Sequence, residues 1–218
     1  MRGPFLGTGS IVGDGSLLLT ANHVITAFNG PQGILPMSDL SRPPYPVTLI
    51  DRDPAHDLAL LRIAEYRPPR PLVLEFDEFS DNTTLMTFEY GTTRRKGSHI
   101  HLNPATRIGH MTRRLGPGDG LTSLTDDAIE LSFPALRGAS GAPVMINEPL
   151  QYSLLQKVSG GVVGVVIANA SYHLAPAQIE EVLNADNTSY GEVRYMLPQG
   201  LAVSVRHIRA IYEKAMAE

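Results

Sequence analysis

The sequence predicts an all-β fold made of antiparallel β-barrels and finished by one C-terminal α-helix. Three observations carry that prediction. About a dozen short apolar or alternating runs are set apart by turn residues, and 20 glycines and 17 prolines among 218 residues suit short strands better than long helices. No alternation of strands with long helical patterns calls for a parallel sheet. The clearest helical spacing lies at the end of the chain, where Val205, Ile208, Ile211, Tyr212, Ala215 and Met216 recur behind Ser204, a good capping residue.

Taken in order, Phe5 to Ile25 reads as strand, turn, strand: PFLGTGSIV and SLLLTANHV flank Gly13-Asp14-Gly15, whose D-G pair marks a tight hairpin. A loop rich in Gly and Pro, Asn29 to Pro46, precedes PVTLIDRD and the strongly apolar DLALLRI. YRPPRP (Tyr66 to Pro71) breaks any central strand, and the acidic EFDEFSD (Glu75 to Asp81) reads as a solvated connector. Strand patterns resume over Thr84–Tyr90, Ser98–Leu102, Thr106–Met111, Ala128–Phe133, Ala142–Ile146, Gly161–Ala168 and Gly200–Val203. Residues Ala175 to Tyr195 read as an insertion whose QIEEVL segment has room for a helical turn or two.

Composition narrows the function classes. Hydrophobic residues make up 43% and charged residues 18%, an ordinary globular balance. A net charge of −4 and a pI near 6.0 give no reason to expect a nucleic-acid partner. The absence of cysteine excludes disulfides, thiol catalysis and cysteine-ligated zinc, and points to a reducing, cytoplasmic setting. The N-terminal MRGPFLGTGSIVG lacks an uninterrupted apolar core of signal-peptide length, and no later run reaches membrane-spanning length. The expectation is a soluble chain with no membrane partner.

Three patterns stand in the order TANHV with His23, HDLALLRI with Asp57 and RGASGAPV with Ser140. Each is weak alone; the three in this order are specific. A serine hydroxyl is a poor nucleophile at neutral pH and needs a base within hydrogen-bond reach. A histidine can take that proton and return it to a leaving amine. A carboxylate behind the ring fixes its tautomer and stabilises the imidazolium. Glycines around Ser140 allow a sharp backbone turn that presents the N–H groups of Gly138 and Ser140 to a developing oxyanion.

These motifs resemble the chymotrypsin-like serine peptidases, and within them the bacterial HtrA/Deg-like branch. GTGSIV with LLLTANHV is similar to the opening hairpin and histidine strand, HDLALLRI to the aspartate motif, GASGAPV to the serine motif, GVVGVVIANA to the substrate-binding strand and GLAVSVRHI to the last strand entering the closing helix. The resemblance spans Gly7 to about Tyr212. It implies two antiparallel six-stranded β-barrels of chymotrypsin-like type: barrel one about 1–74, a connector about 75–83, barrel two about 84–203 and a C-terminal helix about 204–217. It also implies a triad of His23, Asp57 and Ser140, an oxyanion hole at Gly138 and Ser140, and a protein or peptide substrate cut through an acyl-enzyme without a cofactor. The specificity pocket would lie between Pro134 and Ala135 on one side and Ile167, Ala168 and Asn169 on the other. With Pro134 where an aspartate would favour basic residues, the pocket should be small and uncharged.

The chain departs from the family pattern at three places. Ala139 stands where the family has Asp or Asn, so activation by pairing a new N-terminus is not expected. Ala142 replaces a glycine. The chain begins close to its first strand and carries no PDZ module after the helix, which predicts a domain cut from a longer protein, fused to or regulated by another domain or protein.

Other residues carry rival readings. His99 and His101 form an H-x-H pair, but without a third ligand a solvated strand is the better reading and no metal is predicted. Arg94-Arg95-Lys96 and Arg113-Arg114 read as loop decoration rather than a docking patch. Asp119, Asp126 and Asp127 lack the spacing of a calcium loop, and Glu130 and Asp51 read as surface charges. The functional rival is a catalytically silent module that docks an extended peptide beside Val166 to Asn169 by strand addition. An esterase of the α/β-hydrolase type is excluded by the order of the triad and the lack of crossover helices.

Overall fold

Strands that are apolar on both faces must be covered on both sides, and two such strands, LLLTA and LALLRI, set the architecture. The computed structural model describes residues 6–36, 43–96, 99–116, 128–147, 160–173, 178–184, 187–193 and 196–217. Strands β1 (Ser10–Val12) and β2 (Leu17–Ala21) form the opening hairpin, followed by a single helical turn, α1 (Asn22–Thr26). Then come β3 (Gly33–Ile34), β4 (Tyr45–Asp53) and β5 (Leu58–Ile63). These strands make one curled sheet in the order β1-β2-β5-β4-β3. The first lobe therefore has five described strands in an open half-barrel, where six closed ones were expected.

The second lobe closes fully. It contains β6 (Thr84–Glu89), β7 (Arg94–Lys96), β8 (His99–His101), β9 (Ala105–Leu115), β10 (Ala128–Leu131), β11 (Pro143–Ile146) and β12 (Val162–His173). Next are β13 (Gln178–Asn184), β14 (Asn187–Val193) and β15 (Met196–Ser204). Strands β10-β15-β12-β11-β6-β9 form a closed six-stranded barrel, which leaves no exposed edge. Ahead of the acidic segment the chain bonds both lobes: the Leu72 N–H donates to the Ile11 carbonyl, while the Val162 and Glu75 N–H groups donate to the Val73 and Val162 carbonyls.

The expected helical turn in QIEEVL is corrected. These residues lie in β13, paired in register with β14 from Gln178↔Val193 to Asn184↔Asn187. The ladder of β12 with β15 runs out to His173↔Met196, β13 and β14 form a two-stranded sheet of their own, and strand pairing overrides the weak local helix preference. Residues Asp119, Asp126 and Asp127 lie outside the described residues.

Core packing follows the two-residue period of the strands. Leu17, Leu19, Leu58 and Leu60 join Val162, Val165, Leu201 and Val203 in a cluster shared by both lobes. Leu18, Ala59, Leu61 and Ile63 turn the other way and fill the first lobe with Tyr45. Leu85, Met111, Ile129, Val144, Val163 and Val166 fill the barrel. After β15, Ser204 Oγ accepts from the Arg206 N–H at 3.3 Å, opening a 3-10 turn (Val205–Ile208) and α2 (Arg209–Ala217). No helix of the described residues is long and apolar enough to cross a membrane.

Candidate active site

The crevice between the lobes collects side chains from the ends of β2, β5 and the turn before β11. His23 sits in α1, not in a continuing strand as SLLLTANHV suggested. Its ring Nδ1 lies 2.5 Å from Asp57 Oδ2, and its backbone N–H donates to Asp57 Oδ1 at 2.8 Å. The Asn22 N–H donates to the Asp57 carbonyl at 2.8 Å. Asp57 thus grips the histidine turn at three points across 34 residues of sequence. It does so from the left-handed region, φ 56°, a conformation that aspartate tolerates better than most side chains. The turn that delivers it is closed by Asp53, which accepts from the amides of Ala55 and His56. His23 keeps 46% of its side chain exposed, and Asp57 only 19%, so the ring faces the open crevice and the carboxylate sits behind it.

The Ser140 backbone, on the second lobe, comes close to the helical turn that carries His23. A Cβ on Gly7 would meet the Ser140 carbonyl and Val24, the residue after His23, at 2.8 Å each. Two left-handed glycines shape the turn, Gly138 at φ 95° and Gly141 at φ 86°. A Cβ on Gly141 would lie 2.0 Å from the Thr8 carbonyl oxygen, so no other residue fits there. The turn is tied by Ala139 N–H to Leu136 carbonyl (2.8 Å), Ala142 N–H to Ala139 carbonyl (2.8 Å) and Gly141 N–H to Val166 carbonyl (2.7 Å). Among the described residues, the N–H groups of Gly138 and Ser140 bond no protein acceptor. They remain available to an oxyanion.

The side chains of Ala139 and Ala142 are buried in the barrel core beside Phe133 and Val163, where an unpaired carboxylate would be costly. This is the local reason that alanine suits the position before Ser140. Behind the turn, Asn169 bonds Ala135 twice: Oδ1 accepts the Ala135 N–H at 2.7 Å and Nδ2 donates to its carbonyl at 2.6 Å. Ala135 therefore faces Asn169 directly, while Ala168 and Asn169 are exposed and Pro134 is half-buried. Ile167, at the register shift between Val166 and Ala168, instead packs in the core shared by the lobes.

Sequence reasoning missed several supporting groups. Thr8 is buried, and its hydroxyl donates to the Gly138 carbonyl at 2.9 Å. Glu89, fully buried, accepts from Arg107 Nε at 2.6 Å beneath Gly91 and Leu136. Glu130 is a correction: it is buried, accepting from Thr112 Oγ1 at 2.5 Å and Arg113 at 3.1 Å, because the neighbouring strand covers it. Asp51 is exposed. Arg114 lies over the Phe79 ring at 4.9 Å, so Arg113 and Arg114 are both engaged within the fold.

Residues 7–148 match the family described as trypsin-like peptidase domain. No curated protein matches the chain by sequence. Among solved structures it is similar to the HtrA-type protease AlgW with decapeptide, at 17% identity and TM-score 0.63 over 98% of this chain and 52% of that one. It is similar to the Rv3671c protease from M. tuberculosis in its active form, at 19% identity and TM-score 0.60 over 94% of this chain and 70% of the other. It is similar also to the MamO protease domain from Magnetospirillum magneticum, at 15% identity and TM-score 0.57 over 94% and 87%. The chain spans about half the length of AlgW. At these identities the likeness establishes a shared fold.

Proposed function

The chain belongs to the trypsin-like peptidase family, and on that premise we propose that it is a serine endopeptidase acting on protein or peptide substrates. The observation that carries the proposal is the two-point grip of Asp57 on His23, ring and backbone together. Asp53 grips His56 in the same two-point way, but that ring is covered by stacking on His207, whereas the His23 ring is 46% exposed and open to a substrate.

In the proposed reaction Ser140 Oγ attacks the scissile carbonyl while its proton passes to His23 Nε2. Asp57 holds Nδ1–H and stabilises the imidazolium. The N–H groups of Gly138 and Ser140 bind the oxyanion, each contributing about 10²–10³ in rate. His23 then returns the proton to the leaving amine. Water, deprotonated by the same ring, attacks the acyl-enzyme and releases the acid and Ser140. The proposal treats the whole chain as one peptidase domain, places it in the cytoplasm on its lack of cysteine, and requires no cofactor.

A fluorophosphonate probe tests the proposal. One adduct per chain, mapping to the peptide that holds Ser140 and absent from Ser140→Ala and His23→Ala, is the expected result. Equal labelling of Ser140→Ala refutes the assignment. A folded parent that never labels favours the silent peptide-binding module.

A further inference from the structure

We propose that the Thr8 hydroxyl is a positioning group that locks the turn carrying Ser140 to the lobe carrying His23. The inference rests on the peptidase reading above and gives a role to a residue of GTGSIV to which that reading assigns none. Thr8 lies before β1, on the first lobe, yet its hydrogen bonds reach the second. Its N–H donates to the Ser140 carbonyl at 2.8 Å. Its hydroxyl donates to the Gly138 carbonyl at 2.9 Å and accepts the Tyr90 N–H at 3.2 Å. Its carbonyl accepts the Thr20 hydroxyl at 2.7 Å. Every hydrogen-bonding group of one residue, only 6% exposed, is thereby used.

Thr20 stands three residues before His23 on β2 and is itself 2% exposed. A dry line of bonds therefore runs from the histidine strand through Thr20 and Thr8 to the two residues whose amides face the oxyanion. The peptide between Gly138 and Ala139 is planar. Its carbonyl is held by Thr8 and its N–H by the Leu136 carbonyl, so both ends of the plane are fixed. Without the hydroxyl, one end is free, and the left-handed Gly138 has the backbone freedom to let the plane rotate. One hydroxyl oxygen acts as donor and acceptor at once, which serine can reproduce and the methyl group of valine cannot.

Thr8→Val keeps the shape and removes both bonds; Thr8→Ser keeps both bonds. With a peptide substrate, Thr8→Val should lower kcat about 10- to 100-fold while KM stays within about twofold, and Thr8→Ser should restore kcat. Probe labelling at Ser140 should slow in parallel. Amide exchange in the peptide spanning residues 136–142 should quicken in Thr8→Val and not in Thr8→Ser, a readout that needs no catalysis. Faster exchange in a protein that never labels would sustain the lock and sink the peptidase reading. Unchanged exchange and kcat in Thr8→Val, or equal loss in Thr8→Ser, would overturn the lock. If Thr8→Val does not fold, Thr8→Ala is judged by the same two readouts.

Discussion

Asn169 has its amide bonded to both backbone groups of Ala135, and on the proposed reading these two residues border the place of a substrate side chain. An amide so engaged supplies no counter-charge, and Pro134, Ala135 and Ala168 carry none. Burying a lysine or arginine head there without a partner is costly. Cleavage should therefore favour Ala, Val or Leu before the scissile bond, read by profiling cuts in a denatured proteome. Asn169→Ala should raise kcat/KM for a substrate with Phe at that position relative to Ala by about tenfold, the scale of one or two methylenes accommodated. Dominant cleavage after Lys or Arg would refute the pocket argument and leave the triad untouched.

The C-terminal helix is fastened to the opening hairpin. A Cβ on Gly13, at φ 68°, would meet Met216 Sδ at 2.8 Å and Tyr212 Oη at 3.1 Å, so helix and turn touch. Burial raises the Tyr212 pKa, and the charge of Asp14 raises it further. Asp14 is held low in turn by the side-chain and backbone hydrogen bonds of Ser16. A tyrosine whose pKa is raised on folding binds more protons in the native state. Its contribution is whole below the unfolded value near 10 and declines as pH rises through the folded one. Stability should fall above about pH 10, and Tyr212→Phe should flatten part of that decline, seen as urea midpoints against pH. Part remains because burial raises Tyr90 as well. An identical alkaline decline in Tyr212→Phe would show that the helix contact does not shift the phenol.

The two lobes share one apolar cluster, and the proposed triad draws its residues from both of them. Leu60, fully buried on β5, packs with residues of the second lobe while its neighbours Ala59 and Leu61 face inward. Leu60→Ala should cost about 2–5 kcal/mol. Because the cluster is continuous, unfolding by denaturant should remain a single transition with coincident probes. Two separated transitions in the parent would mean that the lobes hold together less tightly than the shared core implies.

The sequence by itself determined the strand content, the C-terminal helix with Ser204 at its start, and the two motifs whose His23 and Asp57 are paired. These are local signals: apolar runs, turn glycines and a capping serine act over a few residues. His23 and Asp57 were legible because their motifs are short and adjoin strand ends. Other features were decided only by tertiary structure. Strand pairing turned QIEEVL into β13, since β14 pairs with it in register from Gln178↔Val193 to Asn184↔Asn187. Barrel closure buried Glu130 and Glu89 against arginines on β9, a pairing that depends on which strands become neighbours. Thr8 shows nothing distinctive in GTGSIV, because its partners Gly138 and Ser140 lie more than a hundred residues away. Hydrogen bonds of that span exist only once the two lobes have closed on each other.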